Sequence, residues 1–203
     1  MKKILLMLML FSVILSACSS EPKIAEDEKT FRHEFDPAKY TKIVEKWSVK
    51  DVYYSGFYNA YEFNATLLNT EMSEARVRFQ AQYSSWSSDK LNSELEKTLQ
   101  ELSYDTYVFL SFFTPANKDN NLAKKGSIWT VYLEAGGRRY EGAVIKNTEH
   151  PTELMRLYPY HNRWSTPYTI KFRVPVSVVQ SAPSKITLSG PLGTAEMAFN
   201  KME

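Results

Sequence analysis

Residues 106–114 read TYVFLSFFT, a run that is apolar on both faces of a possible strand. Apolar side chains occupy both sets of alternating positions, which hold Val108, Leu110 and Phe112 on one face and Tyr107, Phe109 and Phe113 on the other. Successive side chains of a strand point to opposite faces, so a strand with one face in water would alternate between apolar and polar residues. Residues 106–114 therefore predict a central strand that is covered on both faces.

Further strand signals, separated by turn residues, lie on both sides of this stretch. Residues 61–67 alternate between apolar and polar side chains, and glycine-rich turns predict hairpins at Gly136-Gly137 and at residues 190–193. Residues 168–178 alternate as well, but Pro175 lies on the outward side and predicts an edge strand or a bulge. Several short strands between turns predict a mainly β fold, either a β-sandwich-like domain or an open barrel.

The hydrophobic period changes at roughly residues 71–102. Apolar side chains recur there every three or four positions, at Met72, Ala75, Phe79 and Tyr83 and then at Leu91, Leu95, Leu99 and Leu102. This spacing predicts helices, and we expect a helical insertion packed on the sheet, which makes the fold α+β. Asp36 and Pro37 predict the start of one more short helix, although residues from 43 onward also fit a strand.

The first 17 residues have the features of a secretory signal. Lys2 and Lys3 precede an apolar run over residues 4–15 that is interrupted by Ser12 alone. This run is shorter than the about 20 apolar residues that a membrane-spanning helix needs. A charged start, a short apolar run and small residues before a cleavage site predict export from the cytoplasm.

The end of this signal, Leu15-Ser16-Ala17-Cys18, resembles the lipobox of bacterial lipoproteins. The resemblance implies that residues 1–17 are a cleaved signal peptide and that Cys18 becomes the first mature residue, which carries lipid such as palmitate. An ordinary signal peptide with a chance cysteine and an uncleaved anchor are the alternatives. Cys18 is the chain's only cysteine, so the lipobox reading leaves no disulfide and no thiol nucleophile.

The resemblance also implies where the protein resides and how it is organised. In diderm bacteria an aspartate after the modified cysteine usually retains a lipoprotein at the inner membrane, but here Ser19 follows Cys18. This favours the outer membrane facing the periplasm, or the outer face of the cell membrane in a monoderm host. Residues 18–35 are then an acylated N-terminus and flexible tether, since they are charged and hold few apolar side chains. Residues 36–203 form a single β-rich globular domain.

The charge balance argues against a nucleic-acid partner. Without Lys2 and Lys3, the 25 basic residues fall to 23, which equals the number of acidic residues. A neutral mature chain without a basic stripe lacks the electrostatic signature of nucleic-acid binding. We therefore expect a membrane partner through the lipid on Cys18, together with an envelope protein or a glycan.

Few motifs point to catalysis. The chain has no glycine-flanked nucleophile serine, no phosphate-binding loop and no zinc-protease motif. Ser87 and Lys90 have the serine-x-x-lysine spacing of penicillin-binding enzymes, but the companion motifs of those enzymes are absent and a helix cap explains the serine. Residues 117–121 resemble the start of a calcium loop, but its twelfth position is Ile128, where a bidentate glutamate is required. We therefore predict no catalytic residue, no cofactor and no metal site.

One segment is a candidate binding surface, namely residues 158–164, which read YPYHNRW. Tyrosine, tryptophan and arginine dominate the energetics of protein interfaces, and aromatic rings also stack on sugars. We assign the candidate surface to Tyr160, Arg163 and Trp164 and a structural role to Tyr158, while burial of Tyr158 and Trp164 at the end of the sheet is the alternative. The leading hypothesis is a non-catalytic binding or assembly module of the cell envelope. The alternative is a lipid-anchored hydrolase acting on an envelope polymer such as peptidoglycan.

Overall fold

The computed structural model describes residues 35–199. The predicted signal peptide, Cys18 and the predicted tether up to residue 34 lie outside the described residues. Eight strands are formed: β1 Ser48–Ser55, β2 Tyr58–Leu68, β3 Thr106–Phe113, β4 Thr130–Ala135, β5 Arg138–Lys146, β6 Thr166–Phe172, β7 Ser184–Gly190 and β8 Gly193–Phe199. The α-helices of residues 35–199 are α1 Pro37–Lys46, α2 Thr70–Tyr83, α3 Ser88–Leu102, α4 Pro151–Leu157 and α5 Val176–Ser181.

The strands form one antiparallel sheet in the order β1-β2-β3-β6-β5-β4-β7-β8. Its two edge strands, β1 and β8, approach each other, so the sheet nearly closes into a barrel. Helices α2 and α3 connect β2 to β3 as an insertion. The prediction of a mainly β fold with a helical insertion is confirmed, and the architecture is the open barrel.

Strand β5 joins the two halves of the sheet. Its residues 138–141 pair with β4, and its residues 142–146 pair with β6. At the transition, a Cβ on Gly142 would lie 2.7 Å from Cγ2 of Ile170 and 2.8 Å from the ring of Phe172. A glycine is therefore needed where the strand changes partners, because any side chain would collide with the core.

Side chains on the inner face of the barrel form the main core. The register aligns Leu110 of β3 with Ala65 of β2 and Tyr168 of β6, and all three are buried. Trp129 closes one end, with its ring 5.5 Å from that of Tyr61 and its Nε1 donating to the carbonyl oxygen of Asp119 at 2.7 Å.

A second layer covers the outer face of β2 and β3. The ring of Tyr158, which follows α4, stacks on Phe109 of β3 with centroids 3.7 Å apart. Tyr40 of α1 stacks on Phe79 of α2 at 4.2 Å and donates to the carbonyl oxygen of Leu157 at 2.9 Å. Strand β3 is thus covered on both faces, as its sequence predicts.

Two predicted local features are confirmed at the level of backbone geometry. Gly136 and Gly137 have φ angles of 56° and 73°, the left-handed values that the tight turn between β4 and β5 requires. Helix α1 begins at Pro37, and the side chain of Asp36 accepts a hydrogen bond from the backbone N–H of Ala38 at 2.9 Å. The alternative of a strand from residue 43 is wrong, since the helix extends to Lys46 and β1 begins only at Ser48.

The prediction of an edge or bulged strand over residues 168–178 is wrong. Strand β6 ends at Phe172 and lies inside the sheet between β3 and β5, and Val176–Ser181 forms α5. Pro175 cannot donate to a ladder, and its carbonyl oxygen instead accepts from the backbone N–H of Val178 at 3.1 Å. Val176 and Val179 are the buried residues of this short helix, so the valines continue the apolar pattern with a different period.

No helix within residues 35–199 is both long enough and apolar enough to span a bilayer.

Candidate functional site

The candidate surface at residues 158–164 lies between α4 and β6, and the structure divides it into two parts. Tyr158 and His161 are buried, Tyr160 is half-buried, and Arg163 and Trp164 are exposed. Trp164 is 74% exposed, and the guanidinium of Arg163 lies 6.0 Å from its ring centroid. Asn162 forms the turn, since its Oδ1 accepts from the backbone N–H of Trp164 at 2.9 Å. The exposed pair is thus presented on a fixed turn.

Tyr158 belongs to the packed layer on β3. Its ring stacks on Phe109, and burial raises the pKa of the Tyr158 hydroxyl to about 12. The Trp164 ring, in contrast, is too exposed to close an end of the barrel, where Trp129 is located. The alternative in which both Tyr158 and Trp164 are buried at the end of the sheet is therefore wrong for Trp164.

Tyr160 is held by a chain of hydroxyl groups. Its Oη is hydrogen-bonded to Oγ1 of Thr66 in β2, and Thr66 Oγ1 lies 2.6 Å from Oγ of Ser48 in β1. Burial raises the pKa of the Tyr160 hydroxyl well above its usual range, so the phenol stays neutral at physiological pH. The hydroxyl is thus fixed inside the protein, and the ring is the part that a ligand could contact.

A cleft of about 400 Å³ opens beside this ring. Its walls come from α1, from β1 and β2, and from the segment after α4, with Thr41, Val44, Glu45, Ser48, Val49, Lys50, Asn64, Pro159 and Tyr160 as lining residues. This volume lies within the range of about 300–1,000 Å³ typical of ligand pockets. Arg163 and Trp164 do not line the cleft, so the structure separates Tyr160 from the other two candidate residues.

The cleft combines apolar surface with groups that donate and accept hydrogen bonds. Lys50 pairs with Glu62 at 2.9 Å, and both Lys50 and Glu45 are exposed to solvent. Together with the amide of Asn64 and the hydroxyl of Thr41, they can bond a hydroxyl-rich ligand that lies against the aromatic ring. These residues are distant from Tyr160 in the chain, so no local sequence pattern connects them with it, although polar side chains alternate along β1 at Ser48 and Lys50.

A smaller cavity of about 180 Å³ lies between the helical insertion and the sheet. Arg76 of α2 donates there from Nη2 to Oε1 of Glu149 at 2.7 Å. Nearby, Gln80 and Tyr83 of the same helix donate to Oε1 of Glu153 at 2.6 Å and 2.8 Å. These bonds join α2 to α4 and to the residues just before it.

One contact has the geometry of a nucleophile with its base. Oγ of Ser111 lies 2.8 Å from Nδ1 of His161, within the distance at which a histidine can activate a serine. However, Ser111 is 1% exposed and His161 is 6% exposed, so no substrate can reach either group. The bond attaches the segment after α4 to β3. Within residues 35–199, no group of three or more His, Cys, Asp or Glu side chains is arranged to hold a metal ion.

We expect His161 to make stability depend on pH. Burial lowers the pKa of His161 below its ordinary value of 6.5. The unfolded chain therefore takes up a proton near pH 6.5 that the folded protein takes up only at lower pH, so the free energy of unfolding falls as the pH decreases below about 6.5. Urea titrations from neutral to mildly acidic pH should show a shallower decrease for His161→Gln than for the unmodified protein. His150→Asn, at an exposed position, is the control; equal pH slopes for the His161→Gln variant and the unmodified protein would contradict the assignment.

No protein-family model matches the chain, and neither curated proteins nor solved structures yield a match.

Proposed function

We propose that this chain is a lipid-anchored protein of the bacterial cell envelope that acts as a non-catalytic binding or assembly module. The observation that carries the proposal is Leu15-Ser16-Ala17-Cys18 at the end of a short apolar run that follows two lysines. The chain places its only cysteine where the lipobox requires one. Lipid on Cys18 would concentrate the domain at a membrane surface, which suits a protein that acts by contact.

The same resemblance supports a stable anchor and a location. A single acyl chain gives marginal membrane binding, at about 0.8 kcal/mol per buried methylene. Lipoproteins of this class carry three chains, which would hold the protein essentially permanently. With Ser19 after the modified cysteine, we place the protein at the outer membrane facing the periplasm, or at the outer face of the cell membrane in a monoderm host.

We assign ligand contact to the cleft beside Tyr160, and treat Arg163 and Trp164 as a separate exposed pair on the turn that follows. The support is the combination of an aromatic ring, apolar Val44 and Val49, and polar groups in one open cleft. This lining suits a glycan or the polar side chains of an envelope protein. A hydrolase gains no support from the contact between Ser111 and His161, because both groups are buried.

Replacement of the anchoring residue tests the proposal directly. We expect Cys18→Ser to move the protein from the membrane fraction to the soluble periplasm or to leave it as an uncleaved precursor, because serine cannot form the thioether. Fractionation and metabolic labelling with an acyl-chain precursor measure both outcomes. The control is Ser19→Ala, which keeps the cysteine. Unchanged fractionation together with retained acyl labelling in Cys18→Ser would overturn the proposal.

A second experiment tests the cleft. Thr41→Trp should fill it without touching the core, and we expect loss of the partner that copurifies with the lipidated protein after cross-linking in its native envelope. A single hot-spot contact contributes about 2 kcal/mol or more, which corresponds to a roughly 30-fold change in affinity. Lys42→Trp is the matched control, because Lys42 is an exposed neighbour on α1 that does not line the cleft. Equal recovery of the partner with both variants would exclude the cleft.

A further inference from the structure

The tip of the β1–β2 hairpin carries an unusual concentration of exposed aromatic side chains. Tyr54 is 60% exposed, Phe57 is fully exposed and Tyr58 is 81% exposed. Tyr53, at 43%, is the fourth large aromatic within six consecutive residues. Exposed large apolar residues elsewhere on residues 35–199 occur singly, as at Tyr104 and Ile145. A cluster of this kind on a folded protein marks an interaction site.

The base of the tip packs against the core, and its end is exposed to solvent. The ring of Tyr53 stacks on that of Tyr61 across the hairpin, with centroids 5.4 Å apart, and Tyr61 packs in the core against Phe63 and Trp129. Gly56 has a φ angle of 63°, which allows the tight turn that projects Phe57 away from the sheet. The base of the hairpin tip is thus packed on the core, and the side chains of Tyr54, Phe57 and Tyr58 beyond it are exposed.

Charge is absent from this part of the hairpin. Residues 52–61 hold no Asp, Glu, Lys or Arg, and the first charged residues on the two strands are Asp51 and Glu62. Glu62 pairs with Val52 in the register, one position below the pair of Tyr53 and Tyr61. From that level to the turn, β1 contributes three residues and β2 contributes four, because the register shifts between Tyr53 and Tyr54. The height is roughly 10 Å. This height matches the about 5–10 Å that interfacial segments enter a bilayer.

We propose that the hairpin tip formed by Tyr53, Tyr54, Phe57 and Tyr58 inserts into the headgroup region of a lipid bilayer. Tyrosine suits that layer because its ring is apolar and its hydroxyl remains hydrated, and the neighbouring phenylalanine adds apolar area. The tip is a two-residue turn at the end of a two-stranded hairpin, and a protein partner would need a matching groove to bury its side chains. A fluid bilayer accepts such a shape without a preformed groove.

This inference rests on the proposed function, since lipid on Cys18 would hold the domain at the surface of a bilayer. A flexible tether at residues 18–35, as the sequence predicts, would by itself impose no orientation on the domain. Contact of the tip with lipid would fix the orientation of the domain, because the turn between β1 and β2 would then point into the membrane. The lipid chains would hold the protein there, and the hairpin would decide which face of the barrel points away.

Site-specific labelling of the lipidated full-length product tests the inference. In that product the sulfur of Cys18 is consumed by the lipid, so Phe57→Cys introduces the only free thiol. We expect an environment-sensitive fluorophore at residue 57 to shift its emission to the blue in vesicles of phosphatidylethanolamine and phosphatidylglycerol. Headgroup-labelled nitroxide lipids should quench it. The same label at Glu96→Cys, on an exposed position of α3, should show neither effect.

The outcomes separate this inference from the proposed function. If residue 57 remains in water while Cys18→Ser still abolishes membrane fractionation, the hairpin inference fails and the anchor stands. A blue shift that requires envelope proteins and does not occur in pure lipid would also overturn the inference, because the tip would then bind a protein. A triple change of Tyr54, Phe57 and Tyr58 to serine should abolish lipid quenching of a fluorophore at Asn59→Cys.

Discussion

Phe172→Asp is expected to unfold the protein. Phe172 is fully buried in β6, where the register places it between Thr106 of β3 and Gly142 of β5. Loss of a buried phenylalanine costs about 3–5 kcal/mol on its own. An unpaired buried carboxylate adds several kcal/mol, or is protonated at a similar cost. Since domains have a total stability of about 5–15 kcal/mol, the folded population should largely disappear. Circular dichroism and urea titration measure the loss.

The adjacent residue provides the control for Phe172→Asp. Lys171 points to the outer face, and its Nζ lies 2.7 Å from Oδ2 of Asp105. Lys171→Asp removes this ion pair and places two carboxylates near each other at a partly hydrated site, so we expect a small loss of stability and a retained fold. Equal thermal stability of the Phe172→Asp and Lys171→Asp variants would contradict the assignment of the two faces.

Gly190→Val is expected to produce the second large effect. A Cβ at Gly190 would lie 2.6 Å from Cε3 of Trp129 and 2.9 Å from the backbone carbonyl oxygen of Ile128. Neither neighbour can move freely, because the Trp129 ring packs on Tyr61 and Phe112. Overpacking costs about 1–3 kcal/mol. Expulsion of the tryptophan would cost about 3–5 kcal/mol in lost packing.

The free energy of unfolding from urea titration measures this effect, and tryptophan emission should shift to the red if Trp129 becomes hydrated. Ser189→Val is the matched control, since it adds a branched side chain at the preceding residue, whose hydroxyl is at the surface beside Thr194. An unchanged stability of Gly190→Val would mean that the barrel end tolerates a displaced Trp129.

The buried side chains of this protein form two layers with different chemistry. The inner face of the barrel is almost entirely apolar, whereas the layer outside β2 and β3 mixes stacked rings with buried hydrogen bonds. The bond between Ser111 and His161 and the chain from Tyr160 through Thr66 to Ser48 both lie in the outer layer. Buried polar groups need specific partners, so this layer fixes the segment after α4 in one position.

Elements whose signals are local can be predicted from the sequence alone. The two-faced apolar run predicts β3, the glycine pair predicts the turn between β4 and β5, and the change of period predicts α2 and α3. These signals are reliable because side-chain spacing and backbone freedom act within a few residues. The lipobox resemblance at Cys18 is also local, and it carries the prediction of where the protein resides.

Contacts between residues that are far apart in the chain are visible only in the tertiary structure. The order of the strands places β6 in the middle of the sheet, and Pro175 turns the next valines into a helix instead of an edge strand. The division of residues 158–164 into a buried half and an exposed half depends on contacts with Thr66 of β2 and with Phe109 and Ser111 of β3. The cleft beside Tyr160 likewise needs α1, β1 and β2 together. Periodicity assigns the residues of a strand or helix to its two faces. It does not identify the element against which each face packs, because that depends on long-range packing.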